Sequence, residues 1–237
     1  MFNRLSGRLF FGILICLVLL ATLVSCDFLW DPSPTPRPSP TPTPAPLLSA
    51  LEVGDLVNLE ARGVWRVLEV NEYEALLLSN TSIGQRRIHS DIGVTWADSD
   101  IRAWLNDYYL NVFTEEVRAR IISVTNSTND NPWQGTSGGE DTTDYIFLLS
   151  VEEVIKFFGD SGQLDNFDID RGYISDRYNR ERIGRQAGET YNWWLRTPGF
   201  GYDSFIMVNG RGWIMHSGVG KTSLQGIRPA LWLNIED

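Results

Sequence analysis

An α+β domain, with an antiparallel twisted sheet, about three helices and long polar loops, is the fold class this sequence predicts. Three observations predict it. Short runs of β-branched and aromatic residues, bounded by turn formers, recur at 64–70, 73–79 and 193–217. Apolar residues at helical spacing appear between them, at 99–105, 114–122 and 150–158. Two stretches, 126–144 and 160–190, are polar and rich in turn residues, so they read as loops.

The chain ahead of this domain is of a different kind. Arg4 and Arg8 are the only charges before Cys26, and residues 9–25 are almost wholly apolar. A basic start, an apolar stretch and small residues before a cut describe a secretory signal. The ending Leu23-Val24-Ser25-Cys26 resembles the bacterial lipobox. That resemblance implies diacylglycerol on Cys26, cleavage before it and acylation of the new amino terminus. Several acyl chains anchor stably, because each buried methylene contributes roughly 0.8 kcal/mol. The alternative is an uncleaved transmembrane anchor. A run of 17 residues is short for one, since a spanning helix needs about 20. Both readings put the rest of the chain on the extracytoplasmic side of a bacterial membrane. Residues 31–46 place proline at nearly every second position. Proline fixes φ and removes amide donors, so this stretch favours a polyproline II stalk reaching roughly 50 Å. The organisation expected is a lipoprotein signal at 1–25, a lipid-anchored Pro/Thr-rich stalk at 26–46 and a single globular domain at 47–237.

That domain, about 190 residues long, is large enough for one full hydrophobic core. Losing Arg4 and Arg8 takes the formal charge from −10 to −12. An acidic domain without a basic run argues against nucleic acid and anionic headgroups as partners. The two cysteines are Cys16 and Cys26. Cys16 falls inside the signal and Cys26 is the lipid site, so the domain is left with no disulfide, catalytic thiol or cysteine-ligated zinc.

Within the domain, residues 64–70 and 73–79 read as two strands of a hairpin turning at Asn71-Glu72. In 99–105, Ile101, Trp104 and Leu105 share a helical face. Thr114 caps the next helix, with Glu115 and Glu116 at its positive dipole end and Val117 and Ile121 on its apolar face. Residues 145–149 form a continuous apolar run, read as a buried strand. Ser150 and Glu153 then form a capping box for a helix that runs to Phe158 and stops at Gly159. Strands follow at 193–197, 205–209, 213–217 and 228–233, with turns at Gly210-Arg211-Gly212 and Gly218-Val219-Gly220.

Four motifs stand out in this order. They are Thr95-Trp96 with Ser99, Ile101-Arg102 and Trp104-Leu105-Asn106, then Asp144-Tyr145-Ile146-Phe147-Leu148-Leu149-Ser150 with Glu153, then Trp193-Trp194-Leu195-Arg196-Thr197-Pro198-Gly199, then Gly226-Ile227-Arg228-Pro229-Ala230-Leu231-Trp232. Together they resemble a bacterial family known as domain of unknown function 6273. The match covers nearly the whole exported domain and departs mainly in 160–190, which is more charged. The family carries no established reaction. Its closing Gly-x-Arg-Pro strand and Trp-rich strands look similar to C-type-lectin-like folds, including formylglycine-generating enzymes, which is an analogy of fold.

Alternation in Trp193-Trp194-Leu195-Arg196 puts Trp193 and Leu195 on one sheet face and Trp194 and Arg196 on the other. Burial of both faces, one in the core and one under a loop, is favoured over a Trp/Arg platform for a sugar or peptide. Arg102, Arg196 and Arg228 lie beside core-type tryptophans, which suits pairing with a carboxylate or stacking on an aromatic; Asp141 and Asp144 are partners by spacing. Asp130, Glu140, Asp141 and Asp144, and separately Asp165, Asp168 and Asp170, offer oxygens of the kind calcium takes. Neither set has the EF-hand pattern, and a solvated acidic loop is the favoured reading. Gly218-Val219-Gly220-Lys221-Thr222 lacks the first glycine and the helix of a P-loop. His89 and His216 are the only histidines and show no metal or triad spacing.

No nucleophile–base set is visible, so no catalytic residue, metal or cofactor is assigned. The leading expectation is a surface-tethered, non-enzymatic module that binds or senses a glycan, protein or peptide through loops on a rigid sheet. Its candidate ligand residues are Trp133, Asp141, Asp144, Arg196 and Trp213. An extracellular hydrolase using two carboxylates and an inert envelope-interaction domain are the alternatives.

Overall fold

The computed structural model describes residues 50–59, 63–91, 93–165 and 171–236. Cys26, the signal and the stalk lie outside the described residues, as do Asp168 and Asp170.

β1 (Leu56–Asn58) pairs antiparallel with β2 (Val64–Val70), which turns into β3 (Glu74–Ser79). This is the expected hairpin. Residues 75–79 are all buried, so β3 is covered on both faces and reads as an unbroken apolar run rather than an alternation. β4 (Gln85–Arg86) is short and exposed. Ser99 then caps α1 (Asp100–Ala103), its hydroxyl accepting from the Arg102 N–H. α1 runs on through a π-helical turn at Trp104–Tyr109 and a 3-10 turn at Leu110–Val112. Ile101, Leu105 and Tyr109, spaced four apart, stay buried along one side.

Thr114 caps α2 (Glu115–Arg120), as its position predicts. The helix ends earlier than expected: Ile121 and Ile122 form β5 (Ile121–Ile122) and pair with the last strand of the sheet. Two β-branched residues gain more from sheet pairing than from a further half-turn of helix. β6 (Val124–Asn126) and β7 (Thr142–Asp144) close the first polar loop as a hairpin. The capping box forms, with Ser150 and Glu153 satisfying each other's backbone N–H groups at the start of α3 (Val151–Phe158). Gly159 ends the helix at φ 121°, and the Tyr178 ring packs where a Cβ would project.

The second polar stretch contains α4 (Asn179–Arg182) and a hairpin of β8 (Gly184–Gln186) with β9 (Glu189–Tyr191). Neither was expected, because Arg182 and Gly184 are buried in a segment that is otherwise polar. β10 (Trp193–Pro198), β11 (Ser204–Val208), β12 (Ile214–Gly220), β13 (Gln225–Gly226) and β14 (Ala230–Asn234) complete the chain. Gly218-Val219-Gly220 was expected as a turn. These residues instead extend β12 past a register shift, pairing Phe205 with Val219 and Ser204 with Gly220. Gly218 sits at φ 80° with the Gly199 backbone against it, the geometry of a bulge.

Two five-stranded sheets result, ordered β1-β2-β3-β14-β5 and β12-β11-β10-β13-β4. The fold is α+β. Pairing is antiparallel throughout except between β10 and β13. Residues 145–149, expected as a buried strand, make one bridge, Phe147 with Ala230; 146–149 are buried and Tyr145 is exposed. Phe147 and Ala230 exchange backbone bonds at 3.0 and 2.7 Å, and the Arg196 N–H donates to Leu149 O at 3.0 Å. The segment is therefore a strap, tied to β14 of one sheet and β10 of the other. The N–H groups of Tyr145 and Ile146 both donate to the Asn106 side chain, about forty residues earlier in the chain. Four fully buried tryptophans, Trp65, Trp96, Trp193 and Trp194, belong to the one hydrophobic core that both sheets share. Among the described residues no helix is long and apolar enough to cross a membrane.

Candidate functional site

Four of the five charged residues of the motifs are paired inside the fold, Arg102 with Asp144 and Arg196 with Glu153. Asp144 is fully buried, and its carboxylate accepts from Arg102 Nε (2.6 Å), Thr142 Oγ1 (2.6 Å), Trp96 Nε1 (3.2 Å) and Asn126 Nδ2 (3.2 Å). These donors come from α1, the β6–β7 hairpin and the segment before α1. One carboxylate thus ties three parts of the chain, and its oxygens are fully engaged. Arg196, on β10, forks onto both oxygens of Glu153 and donates to Leu148 O at 2.7 Å. Glu153 therefore serves the capping box of α3 and the β10 arginine at once, joining the second motif to the third. Of the two carboxylates that spacing offers to these arginines, Asp144 meets Arg102 and Asp141 meets none of them, while the carboxylate that meets Arg196 is Glu153.

Arg228 has no carboxylate among the described residues. Its guanidinium lies 4.8 Å over the Trp193 ring, and Nε donates to Ser79 O. Burial lowers its pKa to about 10, with the nearby Tyr191 acting in the opposite direction. Arg182, fully buried, pairs with Asp176 at 2.6 Å and donates to Gly212 O, while Trp193 Nε1 donates to Arg182 O. Burial pushes the Asp176 carboxyl up, but Arg182 and the Tyr178 N–H hold it below the ordinary carboxylate range.

The five sequence-predicted ligand residues fall into separate contact sets. Asp144 and Arg196 are the interior joints just described. Asp141 is exposed and accepts from the Thr128 N–H at 3.1 Å. Trp133 is half-buried, donates to Gln163 O and packs 5.3 Å from the His216 ring, which Phe200 also meets at 5.3 Å. His216 is fully buried in this aromatic surround, and burial lowers its pKa to about 4. Trp213 stacks on Tyr173 at 4.6 Å, nearly parallel, beneath Arg211. Among the described residues no three His, Cys, Asp or Glu side chains converge as a metal site.

A concave site lies elsewhere, where the edge strand β4 meets α1 and β13. It is an open groove of about 590 Å³. Ile83, Ile101, Leu224 and Ile227 supply its apolar surface; Gln85, Arg86, Arg87, Ser90 and Asp100 supply its polar surface, with Trp104 as an aromatic wall. Arg86 lies 3.9 Å over the Trp104 ring, the closest cation–aromatic contact among the described residues. Trp104 is itself stacked by Tyr108 and Tyr109. The backbone of Arg86 is held from behind, because Trp194 Nε1 donates to its carbonyl at 2.8 Å. Asp100 is held by the Ser90 N–H, which donates to its carboxylate at 3.1 Å, and by its own backbone N–H, which donates to His89 Nδ1 at 3.2 Å. Among the described residues neither Arg86 nor Arg87 has a carboxylate partner, and both are exposed. Sequence reading passed over this site. Its one visible signal was two adjacent arginines in an acidic chain, three residues before a histidine and ahead of a capped helix.

No curated protein and no solved structure matches the chain. A family model does match, over residues 72–235, and this interval takes in every element from β3 to β14. The four ordered motifs, the joints they build and the groove walls all lie inside it, and the chain belongs to the family described as a domain of unknown function (DUF6273).

Proposed function

We propose that this protein is a lipid-tethered, extracytoplasmic binding module without catalytic activity, and that its ligand, a glycan or a peptide, seats in the groove between β4, α1 and β13. The observation that carries the reading is the state of the arginines. The motif arginines are consumed by carboxylates or by an indole inside the fold. Arg87 lines an open groove with no ion-pair or aromatic partner among the described residues, and Arg86, which lies over the Trp104 ring, is exposed beside it. Concave surface, apolar strips and a few convergent polar groups are the usual makings of a ligand site. Among the described residues the groove is lined by one carboxylate, Asp100, where hydrolysis by a carboxylate pair calls for two about 5–9.5 Å apart. Binding is therefore preferred over hydrolysis.

The tether rests on Leu23-Val24-Ser25-Cys26 and on the proline-rich stretch after it. Cys26→Ser should release the protein from the membrane fraction, and mass spectrometry of the wild-type amino-terminal peptide should show a diacylglycerol adduct. An unmodified, uncleaved leader would replace lipidation with a transmembrane anchor. Ligand binding is tested by a thermal-shift screen of oligosaccharides and peptides against the full chain in detergent, with Arg87→Ala and Leu224→Glu as controls. A ligand that raises the melting temperature of the wild type and of neither variant supports the groove. A screen in which nothing raises it removes the binding reading.

A further inference from the structure

We infer that the groove selects a carboxylate-bearing sugar, of the uronic-acid kind. The inference rests on the groove being the ligand seat, and it names the chemistry of the ligand.

Charge comes first. Arg87 is exposed in the groove wall without an ion-pair partner among the described residues, and Arg86 lies 3.9 Å over the Trp104 ring. A planar guanidinium presents paired N–H donors that match the two oxygens of a carboxylate. The surrounding protein is strongly acidic. An anion is therefore drawn to this spot by local geometry and not by the field of the whole domain. Asp100 lies in the same groove. It repels a doubly charged phosphate more than a singly charged carboxylate, which favours the latter.

The rest of the lining points to a sugar. Asp100 only accepts hydrogen bonds, the Arg87 guanidinium only donates, and Ser90 and Gln85 do both. Sugar hydroxyls both donate and accept, so they suit each of these groups. Ile83, Leu224 and the rim of Trp104 give apolar surface for the C–H face of a pyranose. An extended peptide meets a less suitable surface. Strand addition needs a length of free main-chain edge. β4 has two residues, the Arg86 carbonyl already accepts from Trp194, and the Gly84 carbonyl already accepts from Ile227.

The experiment titrates the full chain in detergent with tri-galacturonate, its methyl ester and tri-glutamate, by calorimetry, in the wild type, Arg87→Ala, Arg87→Lys and Leu224→Glu. Melting temperatures of the variants confirm that each is folded; all three changes are at exposed side chains. Expected is binding of tri-galacturonate that weakens at least tenfold on esterification, at least tenfold in Arg87→Ala, less in Arg87→Lys, and is abolished in Leu224→Glu. Equal binding of acid and ester, with loss in Leu224→Glu, overturns carboxylate selection while the groove stands. Tri-glutamate binding as tightly as tri-galacturonate overturns the sugar. Binding untouched by every variant overturns the groove itself, and no binding of tri-galacturonate overturns the inference outright.

Discussion

Two sets of arginines in this domain have opposite environments. Arg102, Arg182 and Arg196 each meet a carboxylate at 2.5–2.6 Å, and Arg228 lies on Trp193. Arg86 and Arg87 occupy an open groove with no carboxylate partner among the described residues. Arg102, Arg196 and Arg228 belong to the family's motifs and Arg182 accepts through its carbonyl from Trp193 of the third; Arg86 and Arg87 precede all four motifs in the chain and are exposed. The difference teaches where the domain's specificity resides. Charge inside the motifs is spent on joining segments far apart in the chain, and the groove charge is left for something outside it. A buried pair contributes little net stability over an apolar substitute, but removing one partner strands the other at high cost. An exposed arginine removed from a groove strands nothing.

The largest effect should therefore come from Asp144→Ala. It leaves Arg102, Asn126, Thr142 and the Trp96 indole without their acceptor, so a loss of about 4 kcal/mol or a failure to fold is expected in urea unfolding. A loss under about 1 kcal/mol would dissolve the distinction between the two sets. Glu153→Ala should follow, at about 2–4 kcal/mol, since it removes the α3 capping box and uncovers buried Arg196 together. Glu153→Gln should cost less, because its amide oxygen keeps the cap while the charge and one of the two Arg196 bonds are lost.

Acid should act on the interior in its own way. His216 is buried among Trp133 and Phe200, and burial lowers its pKa to about 4. The unfolded chain, with a histidine near about 6.5, takes up the proton first. Stability from this residue is complete above about pH 6.5 and is lost as pH falls towards about 4, by about 2–3 kcal/mol. Urea unfolding across that range should show the slope in the wild type and a flatter one in His216→Gln. Smaller again is Arg86→Ala, which loses the stack on Trp104 and should cost about 0.5–1 kcal/mol. Arg87→Ala should be the mildest for the fold, within about 0.5 kcal/mol, and the most damaging for binding. A melting temperature that drops for Arg87→Ala as it does for Glu153→Ala would place Arg87 in the first set.

Much of the fold was legible because its signals are local. The β2–β3 hairpin needs only two apolar runs around a turn, and the Ser150/Glu153 box lies within four residues. The burial of Trp193 and Trp194 follows from their size and apolar neighbours. What escaped was set by partners distant in the chain. Ile121 and Ile122 left their helix for β14, more than a hundred residues away. Residues 145–149 became a strap because both sheets claimed their backbone. Glu153 read as a helix cap, and nothing nearby disclosed its second role under Arg196. The groove was hidden for the same reason. Its walls come from 83–90, 100–104 and 224–227, three segments that alone look like a polar turn, a helix start and a loop.

The account's central claim is that ligand recognition belongs to this groove and not to the charged residues of the motifs. Amide chemical shifts followed during titration with tri-galacturonate test it most directly. The account predicts that the perturbed amides cluster at 83–90, 100–104 and 224–227, with Asp144, Glu153 and Arg196 unmoved. Perturbations centred on Trp133, Asp141 or Trp213, with the groove silent, would contradict it.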